Sequence, residues 1–400
     1  MMKLIERTEY LDTLKRVKGT PDIKVITGIR RSGKSKLLDS FARWVEKNDK
    51  KANVIKINYN LTKFEKLLNY SALEEFVEQS YKPRKNNYLF IDEVQLCNSF
   101  EKALNSLHAT EKYDIYVTGS NAFLLSSDLA TLFTGRTFEI QVFPFSFAEY
   151  VKYYKPKNPE ASFDAYLKEG GMAGAFLYKT ENEKFRYVNE EVFNTLVIRD
   201  IVKKYKIRNK VFLEKLIDFL MDNVGNITST RNIAKAITAA GDTTNHKTIG
   251  SYIDYLCKAF AFYKIRRYDI RGKKYLATED KFYLCDHSFR YARLGTRNMD
   301  YGHMYENMVA MELLRRGYQL YVGVLFKKEI DFVAMKHDEK LYIQVSDDIS
   351  GDSTFRRETD PLLRINDAYP KMLLARTNHE AYQYEGIKVL DISRWLLGKE

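Results

Sequence analysis

The octet Gly28 to Ser35, GIRRSGKS, sets two glycines, a lysine and a serine at the spacing G-x-x-x-x-G-K-S. Glycines in such a loop let successive backbone N–H groups curl around phosphate oxygens, and a helix beginning there adds its positive end. In that frame Gly28, Arg31, Ser32, Gly33, Lys34, Ser35 and Lys36 line the phosphates of ATP. Lys34 reaches the outer phosphates, and the Ser35 hydroxyl completes a Mg2+ shell. A second segment, NNYLFIDEVQ, ends an apolar run on Asp92 and Glu93. Beside a phosphate loop, Asp92 is expected to hold the Mg2+ and Glu93 to polarise the attacking water.

Two further segments supply candidates. YDIYVTGSN ends in small polar residues, of which Ser120 or Asn121 is placed to meet the γ-phosphate or the water, unless the segment is a plain turn. In LFTGR, Arg136 precedes a strand; a planar cation there either completes the site of a neighbouring copy in a homo-oligomer or is an ordinary surface arginine.

These groups need rigid supports, and the flanking pattern provides them. IKVIT before the octet reads as a buried strand and KLLDSFARWV after it as an amphipathic helix. Four hundred residues exceed one ordinary core, so several domains are expected. With 45% hydrophobic and 30% charged residues, the chain is globular rather than disordered. It shows no apolar run long enough to cross a membrane and no signal-peptide pattern. Cys97, Cys257 and Cys285 are scattered without metal-ligand or disulfide spacing, and the expected location is cytoplasmic.

The net charge of +12 is unevenly spread. Residues 207–275 hold 13 basic and 6 acidic side chains, whereas 276–400 hold 18 and 20. The basic stretch has the rhythm of a winged helix-turn-helix: VFLEKLIDFLMDNVG, STRNIAKAI, then HKTIGSYIDYLCKAF with Ile249, Tyr252, Ile253 and Leu256 on one face. Lys247, Thr248 and Ser251 lie near the N-terminal end of the last helix, the end that enters a major groove. The hairpin AFYKIRRYDIRGKKYLA offers Arg266, Arg267, Arg271 and Lys273 for phosphate contacts. DNA is therefore the expected partner; a module that binds protein instead is the competing reading.

The order GIRRSGKS, FIDEVQ, VTGSN, LFTGR, FPFSFAEY resembles the bacterial and archaeal AAA+-type P-loop ATPases that carry a C-terminal domain of unknown function. EGGMAGAFLY, VIRDIVKKYKIRN, KFYLCDHSFRYA and EIDFVA extend the likeness along nearly the whole chain. The resemblance implies an α/β fold: an AAA+-like parallel-sheet core over 1–145, a helical lid and connector over 146–206, a winged helix over 207–275, and a restriction-endonuclease-like domain over 276–400. In that last fold a helix acid, a strand acid and an (E/Q)-x-K strand bind metal and activate water. Glu306, Asp331 and Gln344 match the first three positions, but Ser346 stands where the lysine belongs. A hydroxyl brings no positive charge, so a degenerate nuclease site is expected. The whole reads as an ATPase whose cycle drives DNA binding; a nucleotide-gated protein switch and an ATP-regulated nuclease are the alternatives.

Overall fold

The computed structural model describes residues 5–119, 133, 135–239, 245–296, 299–377 and 379–399, and divides into two compact units, Met1–Val142 and Phe143–Glu400. The candidates Ser120 and Asn121 lie outside the described residues.

The first unit runs α1 (Thr8–Arg16), β1 (Ile23–Thr27), α2 (Lys34–Asn48), β2 (Ala52–Asn58), α3 (Tyr70–Gln79), β3 (Asn86–Asp92), α4 (Phe100–Ala109), β4 (Tyr113–Thr118) and β5 (Thr137–Gln141). Its five strands form a sheet in the order β2-β3-β4-β1-β5, every neighbour parallel. All five residues of β1 are buried, which a parallel sheet covered on both faces requires. Side chains alternate between the layers. Val25, Leu89, Ile91 and Val117 pack with α3 and α4, while Ile26, Phe90 and Tyr116 pack against Leu37, Phe41 and Val45 of α2. Strand β4 is wedged between β1 and β3, with Ile26 opposite Thr118 and Ile91 opposite Val117. That register brings the ends of three strands to one edge. The expected α/β class with an AAA+-like core is the one observed.

The second unit is built on an eight-stranded mixed sheet. Short helices lead into three longer ones, Lys210–Asp222, Thr230–Ala239 and His246–Lys258. Then follow β6 (Phe262–Asp269), β7 (Lys274–Leu284), a helix Tyr301–Arg315, β8 (Gln319–Leu325), β9 (Lys328–Lys336) and β10 (Glu339–Ser346). Helix Asp352–Leu363 and strands β11 (Lys371–Ala375), β12 (Tyr382–Tyr384) and β13 (Ile387–Asp391) complete it. Ile249, Ile253 and Leu256 are buried along the third long helix.

The hairpin differs from the sequence expectation. It is not a free wing, because β6 pairs antiparallel with β7 and also parallel with β8, in the order β12-β13-β11-β10-β9-β8-β6-β7. The boundary expected at 275 therefore falls inside β7. Local alternation announces a hairpin, but the partner strand lies some fifty residues downstream.

A pair of glycines fixes the start of this unit. Gly170 has φ +66, and a Cβ there would lie 2.1 Å from Asp286 Oδ1; one on Gly171 would lie 2.1 Å from the Phe145 carbonyl oxygen. The space is used: Gly171 N–H donates to Asp286 Oδ2 at 2.7 Å, and the His287 ring meets the Tyr166 carbonyl oxygen at 2.8 Å. EGGMAG and LCDHSF, distant in sequence, thus form one buried joint.

Candidate functional site

The N-terminal edge of α2 is shaped by two glycines, one for space and one for backbone conformation. A Cβ on Gly28 would sit 2.1 Å from the Val142 carbonyl oxygen, and Gly33, with φ +99, caps α2 in the left-handed region. Arg31 also has positive φ, 67°. The loop that results is buried at Gly28, Ser32 and Lys34 and open at Arg31 and Lys36. Lys34 Nζ donates to the carbonyl oxygens of Gly28 at 2.8 Å and Ile29 at 3.0 Å. Burial, partly offset by Glu93, pulls its ammonium down to about 8. The hydroxyl of Ser32 is buried with no hydrogen-bond partner among the described residues. An unmet buried hydroxyl in a loop of this shape fits a phosphate oxygen.

β3 delivers Asp92 to the same edge. Its Oδ1 accepts from Thr118 Oγ1 at 2.5 Å, and the Ser35 hydroxyl also donates to this carboxylate. Burial raises the Asp92 carboxyl, while the Thr118 and Ser35 bonds hold it back. Ser35 and Asp92, matched to Mg2+ from sequence, thus lie together. Glu93 follows in the left-handed region, φ 59, a costly conformation for a side chain of this kind, with its N–H donating to Thr118 Oγ1 at 3.1 Å. Gln95 Nε2 donates to Glu93 Oε2 at 2.5 Å, which orients the carboxylate. A cavity of about 340 Å3 opens here, lined by Ser35, Lys36, Asn58, Lys63, Phe90 and Asp92.

Two residues missed in the sequence belong to this arrangement. Thr118 bridges Asp92 and the Glu93 backbone from the strand between β1 and β3; its only sequence signal is a hydroxyl residue ending a buried strand. Arg7 is buried, and its Nη1 donates to the Ser32 carbonyl oxygen at 3.0 Å, bracing the loop from before α1. Arg136 is exposed at the start of β5. Its carbonyl oxygen accepts from Ile23 N at the beginning of β1, so it stands at the opposite end of β1 from the loop. It does not join this chain's own site.

In the second unit Lys247 on the helix His246–Lys258 and Arg266, Arg271 and Lys273 on the hairpin are exposed, and Thr248 is half-buried. Ser251 Oγ is turned back onto the Lys247 carbonyl oxygen at 3.1 Å. Arg267 is paired to Glu279 at 2.8 Å. Arg271 lies over the exposed Phe326 ring, 5.2 Å from its centroid, and Tyr275 is exposed beside Tyr321.

Glu306, Asp331 and Gln344 do converge, around a cavity of about 560 Å3. A lysine not singled out before is among them. Lys281 of β7, 2% exposed, places its Nζ 2.7 Å from Glu329 Oε1, 3.1 Å from Glu306 Oε2 and 3.6 Å from Asp331 Oδ1. Burial would lower this ammonium, but Glu306, Asp331 and Glu329 outweigh it and hold it well above the usual lysine range. Burial raises the carboxyls of Asp331 and Glu306 in turn, and Lys281 opposes the rise. Ser346 donates to the Asp348 carbonyl oxygen at 2.9 Å. Among the described residues no helix is long and apolar enough to cross a membrane, and all three cysteines are free.

Comparison with known proteins gives this geometry its setting. A family model described as an AAA domain matches residues 20–151, and one described as a domain of unknown function (DUF8612) matches 160–300. An uncharacterized protein of Haemophilus influenzae is 35% identical over 98% of this chain and 99% of its own length. An uncharacterized protein of Methanocaldococcus jannaschii is 26% identical, covering 81% of this chain and 74% of its own. Among solved structures, a Walker-type ATPase of Pyrococcus abyssi aligns with a TM-score of 0.41 at 15% identity, over 72% of this chain and 95% of that one.

Proposed function

We propose, on the premise that the chain belongs to the family of AAA-domain proteins it shares with the Haemophilus influenzae relative, that it is a Mg2+-dependent ATPase. Its nucleotide cycle is coupled to DNA through the basic helices and hairpin of the second unit. The observation that carries the ATPase reading is the edge where Ser35, Asp92, Thr118 and Glu93 meet a loop with an unpartnered buried Ser32 hydroxyl. The loop amides and Lys34 bind and neutralise the phosphates. Ser35 and Asp92 would hold Mg2+, which supplies charge neutralisation to the transferring phosphoryl group. Glu93 orients and deprotonates water, and Gln95 and Thr118 hold it in place. Arg136, exposed at the far end of β1 from its own loop, is offered to the site of a neighbouring copy.

The DNA reading rests on the surplus of basic groups over 207–275 and on the exposed Lys247, Arg266, Arg271 and Lys273. Thr248, Ser251 and the paired Arg267 are poorer candidates for it. Tyr275 and Phe326, both exposed beside these cations, suit stacking on bases. The test is ATP turnover with and without duplex DNA, in wild type and Glu93→Gln. Turnover that DNA stimulates and Glu93→Gln abolishes supports the reading; turnover untouched by Glu93→Gln refutes the assigned site. Turnover indifferent to DNA transfers the reading to a nucleotide-gated switch with a protein partner.

A further inference from the structure

A nuclease-like arrangement of acids implies a divalent cation, and the groups present can be tested for their fit to one. The acids and the amide are already engaged by protein groups, while Glu306 Oε1 has, among the described residues, only the His303 ring nearby, at 3.9 Å. Asp331 Oδ2 accepts the Val345 N–H at 2.8 Å, and its Oδ1 faces Lys281. Glu306 Oε2 accepts from both Lys281 and the Tyr283 hydroxyl, at 3.1 and 3.0 Å. The side chain of Gln344 is fixed at both ends: Oε1 accepts the Asp331 N–H at 3.3 Å and Nε2 donates to Glu358 Oε2 at 2.8 Å. Its orientation follows from its partners, since a backbone N–H only donates and a carboxylate accepts. Both ends of the amide are thus held by protein partners. Among the described residues no group of three His, Cys, Asp or Glu is arranged to hold a metal.

What stands between the acids is the Lys281 ammonium, drawn from a strand some twenty-five residues before Glu306. An ammonium and a divalent ion compete for the same place, because both are drawn there by the same carboxylates and repel each other at short range. We propose that Lys281 is the resident cation of this cavity, standing where a metal-dependent nuclease holds its ion. Glu306, Asp331 and Gln344 then bind no divalent cation. The loss of the strand lysine at Ser346 and of a carboxylate at Gln344 becomes one change of state: a site built for an exchangeable ion has closed on a covalently attached one. This inference does not depend on the ATPase reading.

Mn2+ titration of the nucleotide-free full chain, followed by electron paramagnetic resonance, tests it. An Asp92→Asn background removes the carboxylate expected to bind metal at the phosphate loop. With Lys281 intact, no bound Mn2+ is expected. Lys281→Met is expected to gain a bound Mn2+ that Asp331→Asn removes again. Bound Mn2+ with Lys281 intact, lost on Asp331→Asn, overturns the proposal, as does a folded Lys281→Met that stays free of Mn2+. Should Lys281→Met fail to fold, the titration of the Lys281-intact chain with and without Asp331→Asn decides alone.

Discussion

Two buried lysines divide this molecule's chemistry between them. Lys34 is held by two backbone carbonyls, and burial drags its ammonium down. Lys281 is held by three carboxylates, and its ammonium is raised. Carbonyl dipoles leave most of a positive charge unanswered, whereas three carboxylates answer it in full and more. A lysine of the first kind favours an arriving anion; one of the second kind is already neutralised. Sequence motifs do not separate the two cases, because the difference lies in what surrounds the ammonium.

The largest effect expected from breaking this contrast is on stability. Lys281→Met leaves Glu306, Glu329 and Asp331 without their cation and should cost about 3–5 kcal/mol. Urea unfolding measures it, and addition of Asp331→Asn should restore part of the loss. A Lys281→Met chain as stable as wild type would mean the two lysines are not different in kind. The same substitution at the other site should invert the outcome. Lys34→Met is expected to lower ATP turnover by about 10²–10³-fold, the scale of losing one charge-stabilising group at a transition state. Its unfolding free energy should hold or rise, since an incompletely answered buried charge is removed.

Smaller effects sharpen the first lysine's surroundings. Thr118→Val removes one donor to Asp92 and the acceptor of the Glu93 N–H, worth about 1–2 kcal/mol. Steady-state kinetics should show that loss in kcat, with KM for ATP little changed. The pH dependence follows from the lowered Lys34. Between about 8 and 10.5 the unfolded chain holds a proton that the folded, nucleotide-free chain lacks, so this group's contribution to stability rises with pH across that window. Phosphates favour the protonated form. ATP affinity should therefore fall by up to about tenfold per pH unit above that point, with proton uptake on binding. Titration calorimetry in buffers of different ionisation enthalpy reads both; affinity flat from neutral to alkaline pH would remove Lys34 from the phosphates.

The loop and the Asp92–Glu93 pair were legible because their chemistry is written contiguously: a strand, a turn of fixed spacing, a helix. Glu306, Asp331 and Gln344 were legible as a set through the resemblance to a nuclease-like fold, which says where along the elements to look. Thr118 was not, since a threonine ending a strand is common and only the register of β4 between β1 and β3 gives it a role. Lys281 was hidden for a related reason. It opens KFYLCDHSFRYA, but its partners are 25 to 50 residues further on, and only the folded sheet brings β7 to them. The hairpin showed its turn and its charge, while its pairing with β8 is non-local and left no mark in its own residues.

That pairing has a mechanical consequence. β6 is stitched to β7 along one side and to β8 along part of the other, with a register shift between Arg266 and Tyr268. A load applied at the Arg271–Lys273 tip runs into two ladders at once and must shear many hydrogen bonds together, where a loop-tethered wing would peel them singly. The basic tip is mounted as a strut, and force taken up there passes into the eight-stranded sheet without slack.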